Sequence, residues 1–314
     1  MDYRTIGQTD LKVARLGLGT NVFGWTINEK QSFEILDAFV STGGNLIDTA
    51  DIYPRWAAGV GGESETIIGR WLKQSKKRQH IILATKVGKD MGPGKVGLSP
   101  AYIERAVEDS LRRLQTDYID LYQSHDDDTS TPLEVTLTAY EKLIKAGKVR
   151  YIGASNYSAE RLQQSLDISK KFQLPAYCCL QPHYNMVQRA LFEGDLENVC
   201  IKNNLGALPY FPLASGFLSG KYRTENDSKK SIRGSGALAF LNEKGKKLLA
   251  ALDQVASEHN CEVAAVALAW LMARKSITAP IASATSVKQL HQNFVSTAVQ
   301  LSEAQIQLLN STSF

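Results

Sequence analysis

Residues 118–154 read YIDLYQSHDDDTSTPLEVTLTAYEKLIKAGKVRYIGA. The short runs Tyr118–Gln123 and Val149–Ala154 have the length and the β-branched and aromatic content of strands. Between them, Leu133–Ala146 places apolar residues at helical spacing. Pro132, preceded by Thr131 as a cap, suits a first turn, and Gly147 sits where the helix should stop. The stretch is a strand–helix–strand unit.

The same alternation extends in both directions. Six further strands are expected at Leu16–Thr20, Asn45–Asp48, Ile81–Lys86, Tyr177–Gln181, Gly206–Tyr210 and Ile277–Ile281. Helical periodicity covers Glu29–Thr42, Glu65–Lys76, Pro100–Leu114, Ala159–Phe172 and Gln188–Asn203. Pro100, preceded by Ser99, suits a helix start, and Gly43 a helix stop. More helices are expected near Glu243–His259, Val263–Arg274 and Val287–Thr297. A hairpin from Tyr3–Ile6 to Val13–Arg15 precedes them all, turning in Gly7–Asp10. Eight β/α units predict the α/β class, a (β/α)8 TIM barrel with an N-terminal β-hairpin and extra helices. No Pro/Ser-rich linker divides the chain, so a single barrel domain over 1–314 is expected. Tyr222–Gly236 reads as the longest loop.

Composition narrows the function. Hydrophobic residues are 43% of the 314 and charged residues 22%, an ordinary globular balance. The net charge of +4 is spread along the chain, and Lys76-Lys77-Arg78 and Lys229-Lys230 are too short for a nucleic-acid surface. No stretch of ~18 apolar residues offers a membrane span, and the N-terminus has no apolar leader. Cys178, Cys179, Cys200 and Cys261 lack zinc spacing and read as buried free thiols of a reducing compartment. A cytoplasmic protein with no bound metal is the expectation.

Four polar residues stand out because each follows a strand: Asp48, Tyr53, Lys86 and His125. A lone Tyr or His is ordinarily a packing residue. In a barrel, however, the carboxyl ends of the strands form the active face, so these four converge. A tyrosine titrates near ~10, and an adjacent Lys⁺ should lower that value by stabilising the phenolate. A carboxylate can hold the lysine, and an imidazole can polarise a carbonyl oxygen. The set suits protonation of a carbonyl oxygen while hydride reaches the carbon.

Longer motifs carry a family resemblance over nearly the whole chain, from Tyr3 to about Asn293. GNLIDTADIY at 44–53 with GESE at 62–65, ATKV at 84–87, KVRYIGASNY at 148–157 and PYFPLASGFLSGKY at 209–222 resemble the signatures of the aldo-keto reductase superfamily. The resemblance implies that Asp48, Tyr53, Lys86 and His125 are a catalytic tetrad. It implies NAD(P)H-dependent reduction of a small aldehyde or ketone to an alcohol, with Tyr53 as the proton donor. Ser155, Asn156 and Gln181 would bond the nicotinamide carboxamide, and Tyr210 would stack on its ring. The segment Leu213–Lys221, with Pro212, Leu213, Ser215, Gly216, Leu218, Gly220 and Lys221, would wrap the pyrophosphate. Ser283, Thr285, Gln289 and Asn293 would surround the adenosine. NADP(H) is the implied cofactor. NAD(H) is the other candidate, because the loop after the eighth strand has no cation where many relatives carry one, and Lys288 is the nearest replacement.

The signatures are also similar to those of potassium-channel β subunits. That likeness implies a cofactor-binding partner subunit as the alternative function. Because the chain starts at the hairpin, no tethered inactivation segment is expected. Two other patterns are set aside. Gly17-Leu-Gly19 lacks the third glycine of a dinucleotide fingerprint and reads as a tight first loop. Asp126-Asp127-Asp128 has no histidine pair and reads as a solvated loop. Phe23, Trp25 and Trp56 are expected at the mouth, Trp25 and Trp56 as substrate contacts, with Arg55 a solvated cation or an anion contact. Oligomeric state is not encoded in these patterns.

Overall fold

The structure is a computed structural model that describes residues 2–314, the Ala58 side chain excepted. In chain order it comprises β1 (Tyr3–Thr5), β2 (Lys12–Ala14), β3 (Gly17–Gly19), α1 (Glu29–Ser41), β4 (Leu46–Asp48), α2 (Arg55–Ala58) and α3 (Glu63–Ser75). β5 (Ile82–Val87), α4 (Pro100–Leu114), β6 (Ile119–Ser124), α5 (Leu133–Lys145), β7 (Val149–Ser155), α6 (Ala159–Phe172) and β8 (Cys179–Gln181) follow. The last third holds α7 (Asp195–Lys202), β9 (Gly206–Ala207), α8 (Gly234–Leu238), α9 (Glu243–Glu258), α10 (Val263–Ala273), β10 (Ile281–Ala282), α11 (Val287–Val295) and α12 (Glu303–Thr312).

β1 and β2 form the expected antiparallel hairpin, with Tyr3 opposite Ala14. The other eight strands form one parallel sheet in the order β10-β3-β4-β5-β6-β7-β8-β9. Its ends meet: Ile277 bridges Ala207, Thr278 N–H donates to Ala207 O at 2.8 Å, and Ile281 N–H donates to Pro209 O at 2.8 Å. The sheet is thus a closed (β/α)8 barrel.

The late strands are shorter than their apolar runs. Pro209 interrupts the run 206–210, and Pro280 the run 277–281, because proline supplies no ladder N–H. Tyr210 rejoins the ladder only by a bridge to His183. Gln188–Asn203 is not one helix. A tight turn at Arg189–Leu191 is separated from α7 by Gly194, whose φ of 98° suits glycine alone. Tyr222–Gly236 is partly ordered, holding a helical turn at Glu225–Lys230 and the start of α8. Thr131 is not the cap of α5. Pro132 takes that position, and the Thr131 hydroxyl donates to Asp128 at 2.7 Å.

The inward positions explain where function sits. Strand side chains alternate, so Leu46, Ile82, Ala84, Leu121 and Cys179 share the barrel interior with Asp48, Lys86, Gln123 and Gln181. The apolar members pack with Ile6, Leu11 and Val13 of the hairpin region, which close the amino end. The polar members come one or two pleats later, at the carboxyl end. Gly153 leaves room there on β7: a Cβ would meet Cys179 Sγ at 2.6 Å. Outward residues such as Ile47, Leu83 and Tyr122 pack on the helices. Among the described residues, no helix is long and apolar enough to cross a membrane.

Candidate active site

Lys86 organises the carboxyl end of the barrel. Its ammonium donates to Asp48 Oδ2 at 2.7 Å, to Thr49 O at 2.8 Å and to the Tyr53 hydroxyl at 3.2 Å. These three partners use all its protons. Asp48 also accepts from Gln181 at 2.8 Å and from Gln123 at 3.4 Å through Oδ1. Lys86 is fully buried, Asp48 is 2% exposed and His125 is 6% exposed. Tyr53 is held by its own backbone: its N–H donates to Ala50 O at 3.1 Å, and its carbonyl accepts from Ser64 N–H at 3.2 Å. The His125 ring stands edge-on to Tyr53, with centroids 5.8 Å apart. The four predicted residues do converge.

The electrostatics differ from the sequence expectation in one respect. Burial raises the Tyr53 pKa above its ordinary value, and Lys86 only partly offsets this while Asp48 opposes it. Tyr53 is therefore a neutral phenol that carries its proton at physiological pH. Burial pulls the Lys86 ammonium down, but Asp48 and Tyr53 outweigh it, and the net pKa is raised. His125 is pushed well below its usual value by burial, then by Lys86 and Lys89. Its ring is neutral, and Nδ1 is buried without a partner.

His125 should accordingly show no ring titration in NMR near its unperturbed value of about 6.5. A depressed histidine favours the fold above that value and costs stability as pH falls below it. A midpoint at or above about 6.5 would show that the ring is cationic in the resting protein.

A cavity of about 840 Å³ opens beside Tyr53 and Asp48. It runs from Trp25 past Tyr210, Pro212, Leu213, Ser215, Gly216 and Lys221 to Ser283, Thr285, Gln289 and Asn293. Those residues, scattered along the sequence, line one surface. Ser155, Asn156 and Gln181 do not line it. Ser155 and Gln181 are buried while Asn156 is exposed, with the Ser155 hydroxyl donating to Gln181 O at 2.9 Å and the Asn156 amide to His125 O at 2.9 Å. Tyr210 donates to Asn156 Oδ1 at 2.8 Å, and one side of its ring meets His183 at a centroid distance of 5.1 Å. Leu218 is buried core, and Gly220 ends the turn with φ 74°. Trp56 stands 51% exposed outside the cavity, edge-on to both Trp25 and Tyr53. Phe23 is fully buried and belongs to the core, not the mouth. Arg55 is half-buried and does not line the cavity.

The cavity wall between Tyr210 and Lys221 is locally strained. Phe211, Ala214 and Ser215 have φ of 62°, 46° and 57°, a left-handed conformation costly for residues with a Cβ. Gly216 at 91° continues the turn, and a Cβ there would meet Lys221 Cε at 3.3 Å. Such strain persists only where surrounding structure enforces it, and it commonly marks a ligand clamp.

Several lining residues carried no sequence signal. Arg233 comes from the segment read as a loop, and its guanidinium stacks over Trp25 at 5.1 Å. Burial lowers its pKa, partly offset by Tyr222 and Tyr53. Neither Arg233 nor Lys221 has a carboxylate partner among the described residues. Lys288 is exposed and lies off the cavity. Asn21 bonds Ser283 at 2.6 Å, and Gln292 bonds Glu262 at 3.1 Å. Two unpaired cations, a glycine-relieved turn and an elongated cavity fit a dinucleotide with its phosphates.

The set-aside patterns resolve locally. Gly17–Gly19 is strand β3 itself, not a loop, and a Cβ at Gly19 would meet Ile281 at 3.0 Å. Asp126 pairs with Lys89 at 2.6 Å and Asp127 with Arg161 at 3.0 Å. Asp128 accepts from Ser130, Thr131 and Leu98 N–H. Of the cysteines, Cys179 and Cys200 are buried, while Cys178 and Cys261 are only partly so.

Comparison with known proteins follows this geometry. A sequence profile of the aldo/keto reductase family matches residues 15–313. The chain is 35% identical over 317 residues to "Uncharacterized oxidoreductase YrpG" of Bacillus subtilis (strain 168), covering 99% of this chain and 95% of that protein. It is 33% identical over 331 residues to "Protein tas" of Escherichia coli (strain K12), covering 96% and 95%. It is 31% identical over 307 residues to "Probable aldo-keto reductase 1" of Glycine max, covering 95% and 85%.

Proposed function

This chain belongs to the aldo/keto reductase family of NAD(P)H-dependent oxidoreductases, and from that premise we propose that it reduces aldehyde or ketone carbonyls to alcohols, with Tyr53 as proton donor. The observation that carries the reading is the Lys86 ammonium lying between Asp48 and the Tyr53 hydroxyl at the cavity edge.

A bound nicotinamide dinucleotide supplies the hydride. The chain's own residues handle the oxygen. Tyr53 holds a proton that it gives to the developing alkoxide, and Lys86 stabilises the phenolate left behind. Asp48, with Gln181 and Gln123, keeps Lys86 aimed. Neutral His125 can donate one hydrogen bond to a carbonyl oxygen without competing as an acid. Trp25, which lines the cavity with Tyr53, offers an apolar, aromatic wall for a small carbonyl substrate, and Trp56 stands edge-on to both outside the cavity. The test is steady-state NADPH consumption with a panel of aldehydes and ketones. Tight cofactor binding with no turnover on any of them would favour the partner-subunit alternative.

Cofactor choice is tested separately. By resemblance, the 2′-phosphate of NADP would lie near Ser283–Gln289, a segment whose one cation, Lys288, lies off the cavity. A charge-assisted hydrogen bond contributes roughly 1.5–3 kcal/mol. NADPH should therefore be used with only a modest preference over NADH. Thr285→Arg should raise that preference about ten- to a hundredfold, read as the ratio of kcat/KM for the two cofactors. A wild-type ratio above roughly a thousand, equivalent to about 4 kcal/mol, would mean that Arg233 or Lys221 already reads the phosphate.

A further inference from the structure

Two carboxylates are walled in behind the Tyr53 loop. Asp51, in the segment between β4 and α2, is 2% exposed, and Glu65, in the first turn of α3, is fully buried. Glu65 is well partnered. The Thr85 hydroxyl donates to its Oε1 at 2.5 Å, and Arg113 Nε donates to Oε2 at 2.7 Å. Neither oxygen of Asp51 lies in a formed hydrogen bond. The hydroxyl of Tyr122, on the outward face of β6, is likewise buried without a partner.

Counting charge decides the state of the cluster. Arg113 is spent on Glu65, and Lys86 is spent on Asp48. A second bare carboxylate would be a buried anion with no counter-ion, an arrangement proteins avoid by taking up a proton. We propose that Asp51 keeps its own proton in the resting protein beside the Glu65–Arg113 ion pair, and that this neutral acid positions the loop carrying Tyr53.

Burial, then the charge of Glu65, pushes the Asp51 acid well above the ordinary carboxylate range, and Arg113 and Lys86 offset this only in part. The other groups within electrostatic reach are Tyr53 on its own loop, Tyr102 on α4, Tyr122 on β6 and Tyr140 on α5. All four are phenols, neutral at physiological pH, so none supplies the missing cation. The loop is fastened on two sides. Asp51 N–H donates to Lys86 O at 3.3 Å, and Ser64 N–H, one residue before Glu65, donates to Tyr53 O at 3.2 Å. An ionised Asp51 would repel Glu65 across that seam, and its charge would make the Tyr53 proton harder to release. A carboxylic acid does neither. Asp51 is a positioning residue acting through the loop.

The Asp51 proton can be read without turnover, so its absence is distinct from failure of the proposed reduction, on which only the kinetic arm rests. Infrared spectra of the resting protein are recorded at mildly alkaline pH, with isotope-labelled aspartate and, separately, glutamate. A protonated carboxylic-acid stretch that moves with the aspartate label is expected in the wild type and should vanish in Asp51→Asn. Its absence from the wild type, its movement with the glutamate label, or its persistence in Asp51→Asn overturns the protonated Asp51. Asp51→Asn should also lose part of the wild-type fall in Tm with rising pH, because an acid raised in the fold costs stability only as pH climbs above its ordinary range. In Glu65→Gln, Asp51 is left alone with Arg113 and should ionise, so the band is lost and kcat drops several-fold with cofactor KM unchanged. A Glu65→Gln protein with the band intact, or with wild-type kcat, overturns the positioning role.

Discussion

Tyr53→Phe is expected to lower kcat/KM for carbonyl reduction by on the order of 10²–10⁴-fold, the range of general acid catalysis. The substitution keeps the ring, and with it the edge contacts to Trp56 and His125. What it removes is the proton that the proposed reduction draws on. The other candidates cannot take over. Lys86 donates to Asp48 and Thr49 O and is held charged by its neighbours. His125 is neutral because burial and two lysines oppose its protonation. Cofactor affinity, followed by quenching of protein fluorescence, should remain, since the cavity from Tyr210 to Asn293 is untouched. Turnover near the wild-type level would remove Tyr53 from the mechanism.

Lys86→Met should damage stability as well as rate. The Lys86–Asp48 pair has side-chain exposures of 0% and 3%, so bulk water cannot replace the lost cation. Removing one partner of such a pair costs roughly 3–5 kcal/mol, because the other charge is stranded. Two glutamine amides still reach Asp48 Oδ1 and keep the figure from exceeding that range. Lys86 titrates above its ordinary value, so its contribution is complete at neutral pH and is lost only as pH rises through the raised pKa. Urea unfolding at neutral pH should therefore show the full deficit. Adding Asp48→Asn should recover much of the stability while leaving the enzyme slow, because Tyr53 still lacks its cation. A single mutant as stable as the wild type would contradict the ion pair. A double mutant with restored activity would show that Lys86 only neutralises Asp48.

The local pattern of the chain encodes most of the scaffold and the catalytic candidates. Alternation along Leu46–Asp48 and Ile82–Lys86 places apolar side chains deep in the barrel and Asp48 and Lys86 at its open end. Strand–helix alternation dictates a parallel sheet, and a parallel sheet in a barrel gathers strand ends on one face. Residues at those ends are therefore legible before any contact is known. The same reasoning fails where distant segments must meet. Whether the sheet closes depends on Ile277 reaching Ala207, seventy positions back in the chain. Phe23 reads as a mouth aromatic, but the packing around it makes it core. Arg233 reaches Trp25 from across the sequence, through a segment with no periodicity to announce it. The acidity of Tyr53 is likewise not a property of having Lys86 nearby. It depends on how much water is excluded, and here burial outweighs the lysine. Periodicity is a short-range code, set by backbone geometry within one element. Burial and charge pairing are sums over residues brought together only by the fold. Thus Asp48, Tyr53, Lys86 and His125 could be named from the sequence, while the burial of Asp51 and the partners of Glu65 and Arg233 were decided by tertiary structure alone.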